Sequence, residues 1–188
     1  MKKNTITLDI DLESDSHDGS ALLLFHSIAP NYAFVDDLNH LYNLRLSRID
    51  DLLLDDTPYP HFTYYDSLHQ LQYNLLERPL TANAIAPLWS PGHKMLIITG
   101  QLAVQTATNI HNEFNNAPSV PPEDDFIAAR HLAILDQLRS NFTTTTLLDP
   151  LAAPPSTLRG KALRDYNDLF TMADTILDTL DIKYFSDI

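Results

Sequence analysis

The chain has 188 residues, of which 44% are apolar, and it carries a formal net charge of −13 with no cysteine. These values predict one globular domain with a sizeable core, and they exclude disulfides, thiolate catalysis and cysteine-ligated zinc or iron–sulfur clusters. The twelve Lys and Arg residues are scattered among twenty-five acids. This disfavours direct binding to nucleic acid or to an anionic membrane, because both require a concentrated basic patch.

The first predicted element is a strand over residues 5–13. Apolar and polar residues alternate strictly there, which is typical of a strand with one buried face. The polar face is acidic and the acids continue almost to Gly19, so a metal-binding loop is one interpretation. An EF-hand loop needs Gly at its sixth position and Glu at its twelfth, but a loop starting at Asp11 has Ser16 and Leu22 there. We therefore predict an acidic strand face and a turn, with weak cation binding as the alternative.

A second strand, a helix and a third strand are predicted next. The apolar run at 21–27 predicts a central strand, and Asn31 after a proline predicts a helix that this asparagine caps. The apolar stripe of the helix consists of Val35, Leu38 and Leu41 or Tyr42. Residues 44–54 predict a strand with a bulge near Ser47, and residues 55–60, which read DDTPYP, predict a turn.

A hairpin and a buried strand follow. Residues 61–76 predict a β-hairpin that turns at Asp66 and Ser67, because aromatic and aliphatic residues alternate on both sides of that pair. The prolines and the glycine within residues 79–93 predict a loop. The aliphatic run at 94–100 predicts a buried strand that ends at its glycine.

The second half of the chain is predicted to be mainly helical. Apolar residues recur there at steps of three and four, the spacing of one helix face. The three stripes are Ala103, Ala107, Ile110 and Phe114; Ile127, His131, Ile134 and Leu138; and Ala162, Tyr166, Leu169, Ala173, Ile176 and Leu180. Residues 142–148 predict a strand, and residues 115–125 and 149–156 predict linkers. The last helix is predicted over residues 157–180.

The elements together predict an α+β fold, with a mainly antiparallel sheet of five to seven strands and helices largely on one face. The predicted units are an α+β domain at 1–154 and a helical extension at 155–188 that packs on it. Acids occupy the outer positions of the last helix, namely Asp165, Asp168, Asp174 and Asp178. We expect this helix to fold back on the sheet and to form part of a partner surface; docking on another subunit is the alternative.

Four segments carry a resemblance to a known family. They are ITLDID, NYAFVDDLNHLYNLRLSRIDDLLL, FTYYDSLHQLQYNLLERP and KMLIITG. Their order over residues 5–102 resembles a bacterial family of unknown function named for the signature IPExxxVDY. The signature itself is replaced by APLWSPGHK at 86–94, in which only Pro87 matches. The resemblance implies a small cytoplasmic α+β protein with no established enzymatic activity, and it transfers no site residues.

The histidines are the main candidates for chemistry, because imidazole is a common metal ligand and a base near neutral pH. His61 and His69 flank the predicted hairpin turn, so with Asp66 they could hold zinc; two exposed histidines at a loop are the alternative. A hydrolase or metal-dependent enzyme would use these three residues with His93. The motifs HExxH, GxSxG, Walker A and GxGxxG are absent from the sequence.

We therefore predict a non-enzymatic binding or adaptor protein with an acidic surface, and assign no catalytic, cofactor-binding or metal-ligating residue. We expect it in the cytoplasm, because no apolar run has the length of a signal-peptide core or a membrane span. The expected partner is a protein, either a basic one or a second copy of this chain. The alternatives are the metal-dependent enzyme and an acidic mimic that occupies a nucleic-acid-binding protein.

Overall fold

The computed structural model describes residues 19–27, 29–80, 89–116, 126–148 and 157–185. In chain order, the elements are β1 (Ser20–Ser27), α1 (Asn31–Tyr42), β2 (Ser47–Arg48), β3 (Leu52–Leu54), β4 (Thr57–Tyr59), β5 (His61–Asp66), β6 (Leu71–Glu77), β7 (Lys94–Thr99), α2 (Ala103–Asn116), α3 (Phe126–Asn141), β8 (Phe142–Leu148) and α4 (Gly160–Phe185). The strand predicted at 5–13 and most of both predicted linkers lie outside the described residues.

Six of these strands form one antiparallel sheet in the order β2-β5-β6-β7-β1-β8, and β3 and β4 form a separate hairpin. The predicted α+β class with a mainly antiparallel sheet is therefore confirmed. The strand β1 lies between β7 and β8, so that Leu23 is opposite Leu96 on one side and Leu147 on the other. An apolar strand in this position buries its residues on both faces of the sheet.

Both faces of the sheet are covered. On the first face, Leu23 and Phe25 pack in a cluster with buried residues of α1, α2 and α3, which we call the first core. On the second face, Leu22 and Leu24 pack with the β3–β4 hairpin, Trp89 and α4 in the second core. Each fully buried leucine contributes about 1.5–3 kcal/mol. Helices therefore lie largely on one face, as predicted, and α4 lies on the other.

The single strand predicted at 44–54 is wrong. The structure has two short strands there, β2 at the edge of the large sheet and β3 in the separate hairpin. Between α1 and β2, the side-chain amide of Asn39 accepts a hydrogen bond from the backbone N–H of Leu46 at 2.9 Å and donates one to its carbonyl at 3.1 Å. A side chain thus replaces the neighbouring strand that a longer β-ladder would need.

The predicted turn at 55–60 is also shorter than expected. Only Asp55 and Asp56 form it, both with positive φ (47° and 61°), and Thr57–Tyr59 already form β4. Two central residues with positive φ are typical of the tight turns that join hairpin strands, and aspartate tolerates this conformation better than most residues.

Two helix predictions need correction. Asn31 is the first helical residue and Pro30 holds the cap position, where no side chain caps the helix. The stripe predicted for α3 is wrong in its first half, because Ile127 is 80% exposed while Leu135 and Leu138 are buried. Among the α3 side chains that the structure describes, those in the first core lie in the second half of the helix.

The last helix contributes Leu169, Ala173, Ile176 and Leu180 to the second core, as its stripe predicted, whereas Ala162 is exposed. The helix runs to Phe185, beyond the predicted end. The predicted domain boundary at residue 154 lies outside the described residues, so the division into units stays a prediction. None of the helices that the structure describes combines the length and apolar character that crossing a bilayer requires.

Candidate functional site

The first candidate site is a cavity of about 510 Å³ at the turn between β5 and β6. The end of α1, the hairpin and the start of α2 surround it. Its lining includes Tyr42, Arg45, Tyr64, His69, Tyr73 and Leu102. We call this cavity the tyrosine cleft. Its size falls within the range of about 300–1,000 Å³ that is usual for small-molecule sites.

The tyrosines of the cleft result from strand pairing. Tyr64 on β5 is directly opposite Tyr73 on β6, and their rings are stacked with centroids 6.0 Å apart and planes at 23°. Burial raises the pKa of Tyr73 to about 12, with further contributions from Asp66 and Tyr64. The Tyr73 hydroxyl therefore stays protonated at physiological pH and can donate a hydrogen bond.

A hydrogen-bonded carboxylate and imidazole also line the cleft. The Nδ1 atom of His69 lies 2.7 Å from one oxygen of Asp66, and the other oxygen accepts the backbone N–H of Leu68 at 2.9 Å. The hydrogen bond with His69 is the main cause that lowers the pKa of Asp66. The turn backbone thus fixes the carboxylate, and the carboxylate orients the imidazole.

Arg45 brings a positive charge to the cleft. It follows α1, its side chain is exposed, and it lines the cavity. Within the described ranges, Arg45 forms neither an ion pair nor a hydrogen bond. An arginine without an ion pair is unusual in a chain with about twice as many acids as bases, because a nearby carboxylate would normally pair with it. Neither Arg45 nor the wall of the cleft was singled out from the sequence.

The cluster of His61, Asp66, His69 and His93 that the sequence suggested does not form. His61 is fully buried at the start of β5, where its Nε2 atom lies 3.0 Å from Oδ1 of Asn74. Residues 61 and 66 are separated by an odd number of positions in one strand, so their side chains point to opposite faces. Among the described residues, no group of three or more His, Asp or Glu is placed to hold a metal ion.

His93 instead faces His26, which the sequence did not indicate. Their Nδ1 atoms are 3.0 Å apart and the ring planes meet at 83°. His26 lies where the pairing of β1 with β8 shifts register, and His93 directly precedes β7. Burial lowers the pKa of both imidazoles, and for His93 the charges of His26, Lys94 and Arg78 lower it further.

A second, smaller cavity lies on the opposite face of the sheet. It has a volume of about 150 Å³ and is lined by Leu54, Asp55, Asp168, Thr171, Met172 and Thr175. We call it the acidic slot. Leu54 and Met172 belong to the second core and form an apolar floor. Asp55 and Asp168 are both exposed, and neither pairs with a basic residue in the part of the chain that the structure describes.

Comparisons of the chain with family models, with curated proteins and with solved structures found no match. The resemblance to the IPExxxVDY family therefore stays an expectation from the sequence.

Proposed function

We propose that the protein is a non-enzymatic cytoplasmic binding protein that engages a basic protein partner through the acidic slot and the surface around it. The observation that carries this proposal is the pair of carboxylates, Asp55 and Asp168, beside the apolar floor of Leu54 and Met172. A chain without cysteine is also compatible with a reducing cytoplasm.

The slot matches the chemistry of a lysine or arginine side chain. Such a side chain has an apolar stem and a charged end, and it buries the stem along apolar surface while the end stays polar. In the slot, Leu54 and Met172 would contact the stem, and the two carboxylates would pair with the charged end. The hydroxyls of Thr171 and Thr175 add hydrogen-bond acceptors.

The surroundings of the slot favour a protein partner. Leu53 precedes the slot residue Leu54 on β3 and is 63% exposed on the outer face of the hairpin, where a large apolar side chain adds contact area to an interface. Asp56 and Asp174 are exposed acids close in sequence to the two slot carboxylates. A net charge of −13 would accelerate the encounter with a basic partner at low ionic strength.

Affinity capture with matched variants tests the proposal. The variant D55N/D168N removes both slot carboxylates, and the control D36N/D136N removes two exposed acids from α1 and α3. Each immobilised protein is incubated with lysate of the source cells, and captured proteins are quantified at low and high salt. We expect a basic partner whose recovery falls about tenfold with D55N/D168N, stays unchanged with D36N/D136N, and falls with salt.

Two results would contradict the proposal. Equal recovery with both double variants would show that general acidity, and not the slot, retains the partner. Displacement of the partner by added DNA or RNA would instead favour the acidic mimic. A binding titration of each variant with the purified partner then separates a loss of affinity from a loss of yield.

A further inference from the structure

We propose that the tyrosine cleft binds a small aromatic carboxylate, with its ring against the tyrosine wall and its carboxylate at Arg45. This site is distinct from the acidic slot. The cleft residues Leu71 and Tyr73 belong to the first core, whereas the slot residues Leu54 and Met172 belong to the second. The two sites therefore lie on opposite faces of the sheet and could be occupied together.

The wall of the cleft favours a flat apolar ring. Tyr64 and Tyr73 are stacked across the hairpin, and aromatic side chains gain from offset stacking or edge contacts with another ring. At the rim, Leu68 is 83% exposed and Leu102 is 44% exposed. Both leucines line the cavity, so a bound ring would remove their apolar surface from water.

Arg45 favours a carboxylate on that ring. A guanidinium offers paired N–H donors whose spacing matches the two oxygens of a carboxylate. The acid of the cleft lining, Asp66, is already engaged on both oxygens, because Oδ2 lies 2.7 Å from Nδ1 of His69 and Oδ1 accepts the backbone N–H groups of Leu68 and His69. The charge of Arg45 is therefore available to a ligand.

The adjoining cavity favours a ligand with a single negative charge. A space of about 270 Å³ shares Tyr42, Leu44 and Tyr73 with the cleft and extends to Glu113. Glu113 accepts a hydrogen bond from His131 of α3. A second carboxylate placed towards this end would meet a like charge, so a dicarboxylate would bind less well than a monocarboxylate.

Ligand-observed NMR and titration with a defined panel test the inference. The panel comprises phenylacetate and indole-3-acetate, their uncharged amides, acetate, and phenyl phosphate. We expect the two aromatic acids to bind, and the amides and acetate to bind at least about tenfold more weakly. Amide resonances of Leu102, just before α2, and of Thr106 in α2 should shift on binding, because both residues line the cleft.

Matched arginine variants test whether the charge of Arg45 binds the carboxylate of the ligand. R45Q should weaken binding of both aromatic acids about tenfold or more. R48Q is the control, because Arg48 is also exposed but pairs with Asp51 and lies over the ring of Phe62, outside the cleft. Circular dichroism of both variants checks that the fold is retained.

Four outcomes would overturn the inference. These are no binding by any panel member at millimolar concentration, equal binding of the acids and their amides, equal weakening by R45Q and R48Q, and tighter binding of phenyl phosphate than of the carboxylates. The last outcome would assign the cleft to a phosphate ligand.

Discussion

His26 and His93 place their Nδ1 atoms 3.0 Å apart, where β1 and the start of β7 lie side by side. One imidazole can donate to the other only while at least one of the two facing nitrogens is unprotonated. Burial lowers the pKa of both rings below 6.5, and the positive charges of Lys94 and Arg78 contribute further at His93. The folded protein therefore favours the neutral form of this pair.

We predict that the protein loses stability on mild acidification. Below pH 6.5 the unfolded chain binds more protons at these two histidines than the folded chain does, so the free energy of unfolding falls as the pH falls. Well above pH 6.5 these histidines are neutral in both states, so their contribution no longer changes with pH. Urea unfolding between pH 5 and 8 measures how the free energy of unfolding depends on pH.

The variant H26N/H93N provides the comparison. It should show a weaker pH dependence between pH 5 and 7 than the wild type, because asparagine does not titrate. H40N is the control, since His40 is exposed on α1. An unchanged pH profile in H26N/H93N would show that other groups control the acid sensitivity.

The two histidines of the hairpin should differ in their contribution to stability. H61A removes a fully buried ring that is hydrogen-bonded to Asn74, and should lower the free energy of unfolding by about 1–3 kcal/mol. H69A removes an exposed ring and should cost less than about 1 kcal/mol. Equal effects of the two substitutions in urea unfolding would contradict this placement.

Gly100 should be intolerant of a side chain. Its φ is +127°, and a Cβ atom there would overlap the carbonyl oxygen of Gln70. We expect G100A to destabilise the fold by more than the 1–3 kcal/mol typical of a strained backbone conformation alone. G160A is the control, because Gly160 also has a positive φ but no atom lies within 4 Å of an added Cβ. In thermal unfolding, G160A should have a clearly higher unfolding temperature than G100A.

The contact of α4 with the second face should be measurable. I176A truncates a fully buried residue of the second core and should cost about 2–5 kcal/mol. T175A, at an exposed neighbouring position, should cost less than about 1 kcal/mol. A truncation at Pro154 should lower the unfolding temperature and weaken partner binding together. An unchanged unfolding temperature in I176A and in the truncated chain would show that α4 adds nothing to the fold.

The sequence predicted most regular elements because their residue periodicity is local. The strands β1 and β7 match the predicted ranges within two residues, and the predicted stripes of α1 and α2 lie in the first core. The pattern failed at 44–54, where the backbone depends on the side chain of Asn39 from the preceding helix. A contact between a helix side chain and the backbone seven positions later leaves no periodic signal.

The candidate sites were predictable only in part. Asp66 and His69 were identified together and do form a hydrogen-bonded pair, because three positions and one turn bring them together. His61 was wrongly grouped with them, since strand alternation places it on the other face. Asp168 was recognised as an outer acid of its helix, but Asp55 reaches it only through tertiary packing. Arg45 likewise comes to line one cavity with the hairpin tyrosines only through tertiary packing.

The position of β1 has a consequence for synthesis on the ribosome. Among the described strands it is the first to be translated, yet β7 and β8, its two neighbours, come much later. Leu22 cannot pair with Leu148 until most of the chain has emerged. Contacts between residues so far apart in sequence slow folding, and an apolar strand that waits for its neighbours can associate with other nascent chains. We expect the newborn chain to depend on a chaperone until β8 is complete.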